Sequence, residues 1–331
     1  RYYQYGIKIT PEDLVVGRNY ITAEQESSVA LRNGESATVK WYQFKIPLKE
    51  ITGDGSHMPR ETVGSIQDFK TIRFARMFMT GFKKEIHLRL ASLELVRGDW
   101  RSYNLRLHND DKSGGTTLPA EGDLDVSVVN IEENAGQKPV NYVLPPGVTR
   151  IISPDQSQIT QLNEQSISLK VTNLPSKNAR AIYKTSGLDV RNYERMQMFV
   201  HAEKLIDDKT NLKDGEISIF VRVGSDIRSN YYEYEVPLHL TPEGNYNTYN
   251  TNDQESVWPE SNMIDFPLSL LTEAKKQRNS AKSRGESGVS FGIPYSIYDP
   301  EKKTNRVTMV GNPSISNLES VVIGVRNNSA T

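Results

Sequence analysis

The chain has 331 residues, enough for two domains of ordinary size, and its 40 basic and 41 acidic residues give a net charge of -1. That balance leaves no basic footprint for a nucleic-acid partner, and the absence of cysteine excludes disulfides and thiolate chemistry. The mean hydropathy is -0.57 and no apolar run reaches about 18 residues, so the sequence contains no transmembrane helix.

The first third of the sequence alternates extended segments with turns. Residues 71–78 place apolar side chains on both faces, which predicts a central strand covered on two sides. Residues 85–96 alternate like a half-buried strand, and the Asn, Asp and Gly residues of 109–115 predict a loop. The predicted strands are residues 2–9, 19–23, 36–48, 70–80, 85–96 and 103–107.

The chain opens at Arg1 inside a predicted strand, and we therefore interpret it as a piece of a longer protein. The segment Gly55-Ser56-His57-Met58 is identical to a common tag-cleavage remnant. The sequence leaves open whether this segment is native or an engineered join, so we assign His57 no functional role.

A proline-rich stretch separates two β-rich regions. Pro139, Pro145 and Pro146 bracket an extended Val140-Asn141-Tyr142-Val143-Leu144, which predicts a semi-rigid connector. The predicted divisions are a first domain at 1–124, a connector at 125–150 and a second domain at 151–331. The sequence leaves open whether the first domain is truncated at its N-terminus. The strands of the second domain are predicted at residues 165–172, 179–183, 195–203, 216–224, 231–240, 306–310 and 320–326.

Two strand-like segments repeat each other at one constant offset. Tyr231-Tyr232-Glu233-Tyr234-Glu235-Val236-Pro237-Leu238 echoes Trp41-Tyr42-Gln43-Phe44-Lys45-Ile46-Pro47-Leu48. A repeated strand of this length indicates two copies of one β-domain. With short alternating strands and few helices, the sequence predicts an all-β fold of two tandem antiparallel jelly-roll or β-sandwich domains with one short helix.

That helix is predicted where Asp265 can cap it, with Pro267 in its first turn and Leu268, Leu270 and Leu271 leading in. A basic run follows. It is typical of a solvated face and a loop, and an anion-binding patch is the alternative. The run comprises Lys275, Lys276, Arg278, Lys282 and Arg284.

No pattern in the sequence predicts catalysis, a metal or a cofactor, so we expect a protein that is not an enzyme. The five histidines lack the paired spacing of zinc ligands, and no phosphate-binding glycine loop occurs. Residues 207–215 offer oxygen ligands, but their spacing departs from a calcium loop and two lysines compete with a cation. A hairpin turn is the prediction there.

Aromatic side chains are the candidate contacts with a partner or ligand. Tyr246, Tyr249 and Trp258 lie in the Gly-, Asn- and Thr-rich residues 243–259, where the pattern gives least indication of burial. We predict that these three contact a partner, and a core or sheet-edge position is the alternative for each.

Several longer segments carry a resemblance to known proteins. One reads Asn141-Tyr142-Val143-Leu144-Pro145-Pro146-Gly147-Val148 and another reads Arg195-Met196-Gln197-Met198-Phe199-Val200-His201-Ala202-Glu203. Further ones are residues 68–74, 93–100, 125–134, 310–314 and 323–327. Together they extend from about residue 41 to the C-terminus, and in this combination they resemble the SprA/Sov family.

The resemblance implies a fragment of the outer-membrane translocon of the type 9 secretion system of Bacteroidetes, which exports folded cargo and supports gliding motility. The rest of such a chain would be a membrane β-barrel. Outward strand positions here carry Arg89, Arg222, Glu233 and Glu235, which a lipid-facing strand would avoid. We therefore expect a non-catalytic cap or vestibule region on the cell-surface side, with the periplasmic side left open, that contacts secretion-system subunits and cargo.

Two other functions stay open at this point. Duplicated jelly rolls often bind glycans, so a carbohydrate-binding β-sandwich module at the cell surface is the alternative. A glycosidase would require two carboxylates about 5–10 Å apart in a cleft, a distance that sequence does not supply.

Overall fold

The computed structural model describes residues 1–16, 18–30, 33–48, 58, 60–66, 72, 74–93, 100–108, 117–150, 164–206 and 208–329. The loop predicted at 109–115 and residues 55–57 lie outside the described residues. The chain divides into two compact units, Arg1–Leu95 and Val96–Thr331, and each is described by itself.

The described residues of the first unit form two antiparallel strand pairs. Its strands are β1 (Tyr2–Gln4), β2 (Ile21–Ala30), β3 (Ser36–Phe44) and β4 (Glu61–Val63), paired as β1 with β4 and β2 with β3. Lys40 reaches across the β2–β3 pair to Glu24 and to Glu26. Asn19 precedes β2 in the left-handed region, at a φ of 53°, and its side-chain oxygen accepts a hydrogen bond from the Lys8 amide at 3.0 Å.

The central strand predicted at 71–78 is wrong for its described residues. No strand forms over residues 74–93, and the side chains there are exposed, Phe74 to 74%. A strand requires a hydrogen-bonded neighbour, and no described strand pairs with this segment. Alternation and apolar content indicate that a segment is able to form a strand. The neighbouring strand with which it would pair has to come from elsewhere in the chain.

The second unit is organised around an antiparallel sheet of seven strands. The described strands of this unit are β5 (Arg101–His108), β6 (Asp123–Asn130), β7 (Gln165–Thr172), β8 (Asn178–Leu188), β9 (Arg195–Met198), β10 (Ile217–Gly224), β11 (Tyr231–Pro237), β12 (Ile264–Pro267), β13 (Tyr295–Tyr298), β14 (Arg306–Val310) and β15 (Leu318–Asn327). The order in the sheet is β13-β14-β11-β10-β15-β8-β5, and antiparallel pairs outside it join β6 to β7 and β9 to β12.

In the part of the chain that the structure describes, three α-helices accompany these strands: α1 (Ile131–Asn134), α2 (Thr251–Val257) and α3 (Ser269–Ser283). The predicted helix is confirmed as α3. Asp265 is not its cap, because Asp265 belongs to β12 and accepts a hydrogen bond from Arg195 Nε at 3.0 Å. None of the described helices has the length and apolar character needed to cross a membrane.

One face of the seven-stranded sheet forms the main core with β12 and α3. Tyr232, Tyr234 and Met309 are buried there, and the Tyr234 ring stacks on Phe266 with ring centroids 4.1 Å apart. Leu271 and other apolar residues of α3 close this layer. The opposite face of the same sheet holds a smaller apolar cluster around Phe220 and Val322. Strands β10, β11 and β15 are therefore covered on both sides.

The all-β class of the prediction is confirmed, with antiparallel pairing in every strand pair that the structure describes. Strand β5 lies in the second unit, although its residues fall within the predicted first domain, 1–124. The divisions at residues 124 and 150 stay a prediction. The two echoing segments occupy different settings, since Trp41 is exposed in the β2–β3 pair whereas β11 is buried.

Candidate functional site

Tyr249 stands at the tip of a loop whose conformation is fixed by hydrogen bonds from neighbouring side chains. Its ring is 93% exposed. Asn247 accepts a hydrogen bond from the Tyr249 amide at 2.9 Å, and Asp253 accepts one from the Asn247 amide at 2.7 Å. Asn250 caps α2, and Gln254 donates to the Thr248 carbonyl at 2.7 Å. The loop thus presents an exposed aromatic ring on a pre-organised turn.

Trp258 does not lie at the surface. Its side chain is 8% exposed, and its indole Nε1 donates a hydrogen bond to the Val143 carbonyl at 2.8 Å. The rings of Tyr142, Phe199 and His201 pack edge-on around it. Trp258 takes the core position that the sequence left open as the alternative, because a large apolar ring with one donor suits a buried site next to an unpaired carbonyl.

Tyr246 is half-buried between the loop and the connector segment. Its amide donates to Asn141 Oδ1 at 2.7 Å, and Asn141 Nδ2 returns a hydrogen bond to the Tyr246 carbonyl at 2.8 Å. Its hydroxyl donates to the Pro242 carbonyl. Trp258 and Tyr246 therefore belong to the apolar cluster around Val140, whereas Tyr249 lies outside that cluster and is exposed.

The main unexpected feature is a set of five charged residues on the second face of the sheet, which we call the buried charge cluster. Glu233 and Glu235 are each 4% exposed, whereas their alternation with apolar residues predicted an outward, wet position. Arg326 Nη1 lies 2.9 Å from Glu233 and 2.7 Å from Glu235. Arg222 contacts Glu233 at 2.6 Å, and Arg306 contacts Glu235 at 2.6 Å.

Neighbouring groups complete this cluster. Ser218 donates a hydrogen bond to Glu235, and the guanidinium of Arg222 donates to the Ile227 carbonyl at 2.7 Å and lies 3.8 Å from the Tyr231 ring centroid. Arg326 lies 4.5 Å above the Phe220 ring. The outward prediction for Arg222, Glu233 and Glu235 is wrong because mutual pairing allows opposite charges to be buried together.

The buried charge cluster makes the stability of the second unit depend on pH in the acid range. Burial alone would raise the pKa of the Glu235 carboxyl, but Arg326 and Arg306 outweigh burial and hold its pKa at about 2, below the ordinary 4.5. A lowered carboxyl pKa stabilises the fold above the unfolded value and loses that contribution as pH falls through the folded value. We expect the free energy of unfolding of the second unit to fall between pH 4.5 and pH 2, with about 3 kcal/mol from Glu235 alone.

Urea unfolding at a series of pH values would measure this loss. Glu233 adds to it in the same direction, because Arg326 and Arg222 overcome the opposing effect of burial and lower its pKa. A stability that stays constant from neutral pH down to the lowest pH measured would contradict the assignment.

The basic run after the predicted helix does not form one solvated face. Arg278 is fully buried on the inner side of α3, where its Nη1 donates to the Gly311 carbonyl at 2.7 Å. Lys275 donates to the Pro313 carbonyl at 2.8 Å. Gly311 has a φ of 73°, and a Cβ there would lie 1.9 Å from the Ser229 carbonyl oxygen, so this loop requires glycine. The resemblance segment 310–314 is thus held against α3 by two cations.

The loop that offered oxygen ligands for calcium behaves as a turn in its described part. Asp208 accepts hydrogen bonds from the amide and hydroxyl of Thr210, and Asp214 accepts from the Leu240 amide at 2.8 Å. Asp207 lies outside the described residues. Among the residues that the structure does describe, no group of three His, Asp or Glu side chains could hold a metal ion.

Comparison with known proteins bears on the family of this chain. No curated protein matches this chain at a significant level. A family model, SprA_N, described as motility related/secretion protein, matches residues 1–331, the whole chain. This match agrees with the resemblance found in the sequence, and the chain therefore belongs to the SprA_N family of motility related/secretion proteins.

Proposed function

We propose that this chain is a non-catalytic extramembrane region, a cap or vestibule, of an outer-membrane protein-secretion translocon of the type 9 system. In this role it contacts secretion-system subunits and folded cargo on the cell-surface side, and its full-length protein supports gliding motility. The observation that carries the proposal is the match of the whole chain to a motility and secretion family.

The buried chemistry of the second unit supports a scaffold role. A catalytic carboxylate must be available to a substrate. In the buried charge cluster Glu233 and Glu235 are instead committed to arginines on neighbouring strands. We therefore assign these carboxylates a structural role in the sheet.

Tyr249 supports a contact role. Aromatic side chains on ordered loops are frequent centres of binding energy, because a rigid ring loses little entropy on association. The hydrogen bonds around Asn247 and Asp253 fix the loop before any partner arrives. Tyr249 is accordingly the residue through which we expect the module to touch cargo or a partner subunit.

The test is Tyr249→Ser in the full-length protein, with secreted cargo measured at the cell surface and in the medium. We expect cargo export to fall several-fold, because loss of an aromatic centre of binding weakens association about tenfold or more. Tyr193→Ser is the matched control, since Tyr193 is also an exposed tyrosine, 68% exposed. Normal export by Tyr249→Ser would count against the contact, and an equal fall in both variants would show a non-specific effect.

A glycan array tests the carbohydrate-binding alternative with the same Tyr249→Ser variant. If Tyr249 stacks on a sugar ring, the purified chain binds to a glycan array and Tyr249→Ser does not. An array without signal for the unaltered chain removes this alternative and leaves the secretion experiment to decide.

A further inference from the structure

The outer side of α3 carries a shallow depression of about 600 Å³ whose lining contains no carboxylate. Lys275, Lys276 and Arg284 supply three positive charges, and Asn279 and three hydroxyl-bearing residues supply neutral hydrogen-bonding groups. A lining composed of cations and potential donors is suited to a negatively charged ligand.

The region around this depression is strongly basic although the whole chain carries a net charge of -1. From Ser269 to Phe291 there are five basic residues and two acidic ones. Glu273 lies 4.0 Å from the Lys276 amino group, and Glu286 pairs with Arg284 at 2.6 Å at the surface. Exposed pairs of this kind contribute little and leave both charges accessible to a competing ion.

Three cations in this region have no carboxylate partner among the described residues: Lys275, Arg278 and Lys282. Lys275 and Arg278 donate to backbone carbonyls, and the Lys282 amino group lies 3.5 Å from the centroid of the Phe291 ring. Arg278 is 0% exposed, and its Nη2 has no hydrogen-bond partner in the described structure. Burial lowers the pKa of both Lys275 and Arg278, and repulsion from Arg278 lowers that of Lys275 further. These three cations of α3 are therefore not neutralised by a carboxylate of the described structure, and Lys275 lies in the lining of the depression.

Arg278 also sets the orientation of Asn279. Its Nε donates a hydrogen bond to Asn279 Oδ1 at 3.0 Å. Because this contact uses the amide oxygen of Asn279, the remaining polar group of that side chain is its NH₂ donor. The buried arginine thereby keeps the Asn279 donor available to the lining of the depression.

We propose that this surface of α3 binds a phosphate group, carried by a small soluble molecule or by a lipid headgroup. A carboxylate is best recognised by the two-pronged face of an arginine. Here Arg278 is buried, and the Nε and Nη2 of Arg284 already donate to Glu286, so a ligand must compete with that exposed pair to reach them. Lysine amino groups with hydroxyl and amide donors suit the several oxygens of a phosphate.

The test measures binding of two probes to the 331-residue chain. The first probe is inorganic phosphate, measured by calorimetry. The second is vesicles of phosphatidylcholine with phosphatidic acid, measured by co-sedimentation and compared with vesicles of phosphatidylcholine alone.

Lys276→Gln with Arg284→Gln removes two exposed charges, and we expect about tenfold weaker binding. Glu286→Gln releases Arg284, and we expect binding to become a few-fold tighter. Lys209→Gln with Lys213→Gln removes two exposed charges from another loop and is expected to leave binding unchanged.

The outcomes separate the sources of the phosphate. Binding of inorganic phosphate supports a soluble ligand, and binding of phosphatidic acid vesicles alone supports a lipid headgroup. Absence of binding to both probes overturns the proposal. A loss of binding that is as large in the Lys209 and Lys213 variant also overturns it, because net charge and not this surface would then be responsible. None of these results bears on the Tyr249 contact.

Discussion

Replacing Arg326 with methionine is expected to lower the free energy of unfolding of the second unit by about 3–5 kcal/mol. Arg326 is the residue of the buried charge cluster that contacts both Glu233 and Glu235. Its loss leaves two carboxylates 4% exposed with one guanidinium each, and a buried charge without full compensation is costly. Methionine retains much of the side-chain volume, so the measured loss reports charge more than packing.

Urea denaturation of the unaltered and variant chains, followed by circular dichroism, measures this difference. Arg191→Met is the matched control, because Arg191 pairs with Asp189 at 2.7 Å on the surface and its loss should cost less than about 1 kcal/mol. Adding Glu233→Gln to Arg326→Met should recover part of the loss, since it removes a stranded negative charge. An Arg326→Met variant no less stable than the Arg191→Met control would show that the cluster is not a structural requirement.

Trp258→Ala is expected to cost about 3–5 kcal/mol and to loosen the connector segment around Val143. The substitution leaves a cavity among Tyr142, Phe199 and His201, and it removes the donor that satisfies the Val143 carbonyl. We also expect faster proteolysis between residues 139 and 148, because Val140 and Val143 pack against this ring.

Two further variants separate packing from hydrogen bonding. Trp258→Phe keeps most of the ring but loses the indole donor, and it should cost about 1–3 kcal/mol. Tyr249→Ala is the exposed aromatic control and should change stability by less than about 0.5 kcal/mol. If Trp258→Ala and Tyr249→Ala had the same effect on stability and proteolysis, the core position of Trp258 would be wrong.

The contrast between these two aromatics shows a limit of sequence reasoning in this chain. Tyr249 and Trp258 lie nine positions apart in one polar stretch that has no apolar periodicity. The difference comes from a residue distant in sequence, since the Val143 carbonyl receives the indole hydrogen bond. A clue was present in α2, whose start is marked by Asn250 ahead of Asp253, because an ordered helix in this stretch would bring its end toward the core.

The charged positions of β11 show the same limit in another form. Strict alternation correctly indicated a strand and the two faces on which its side chains lie. The same alternation suggested that the face carrying Glu233 and Glu235 was exposed to solvent, because a charged face usually is. Burial of that face depends on Arg326, which arrives from β15 at the end of the chain, and on Arg222 from β10.

By itself, the sequence determined the all-β class, most strand positions of the second unit and the helix at α3, because period and turn residues act over short distances. The family followed from the resemblance of particular segments and from the match of the whole chain to a family model. Only the tertiary structure decided which aromatic is a core residue, which carboxylates are buried and which cations of α3 face inward. These outcomes depend on partners brought together from distant strands, and the free energy of burying a charge or a ring is set by those partners and not by the residue alone.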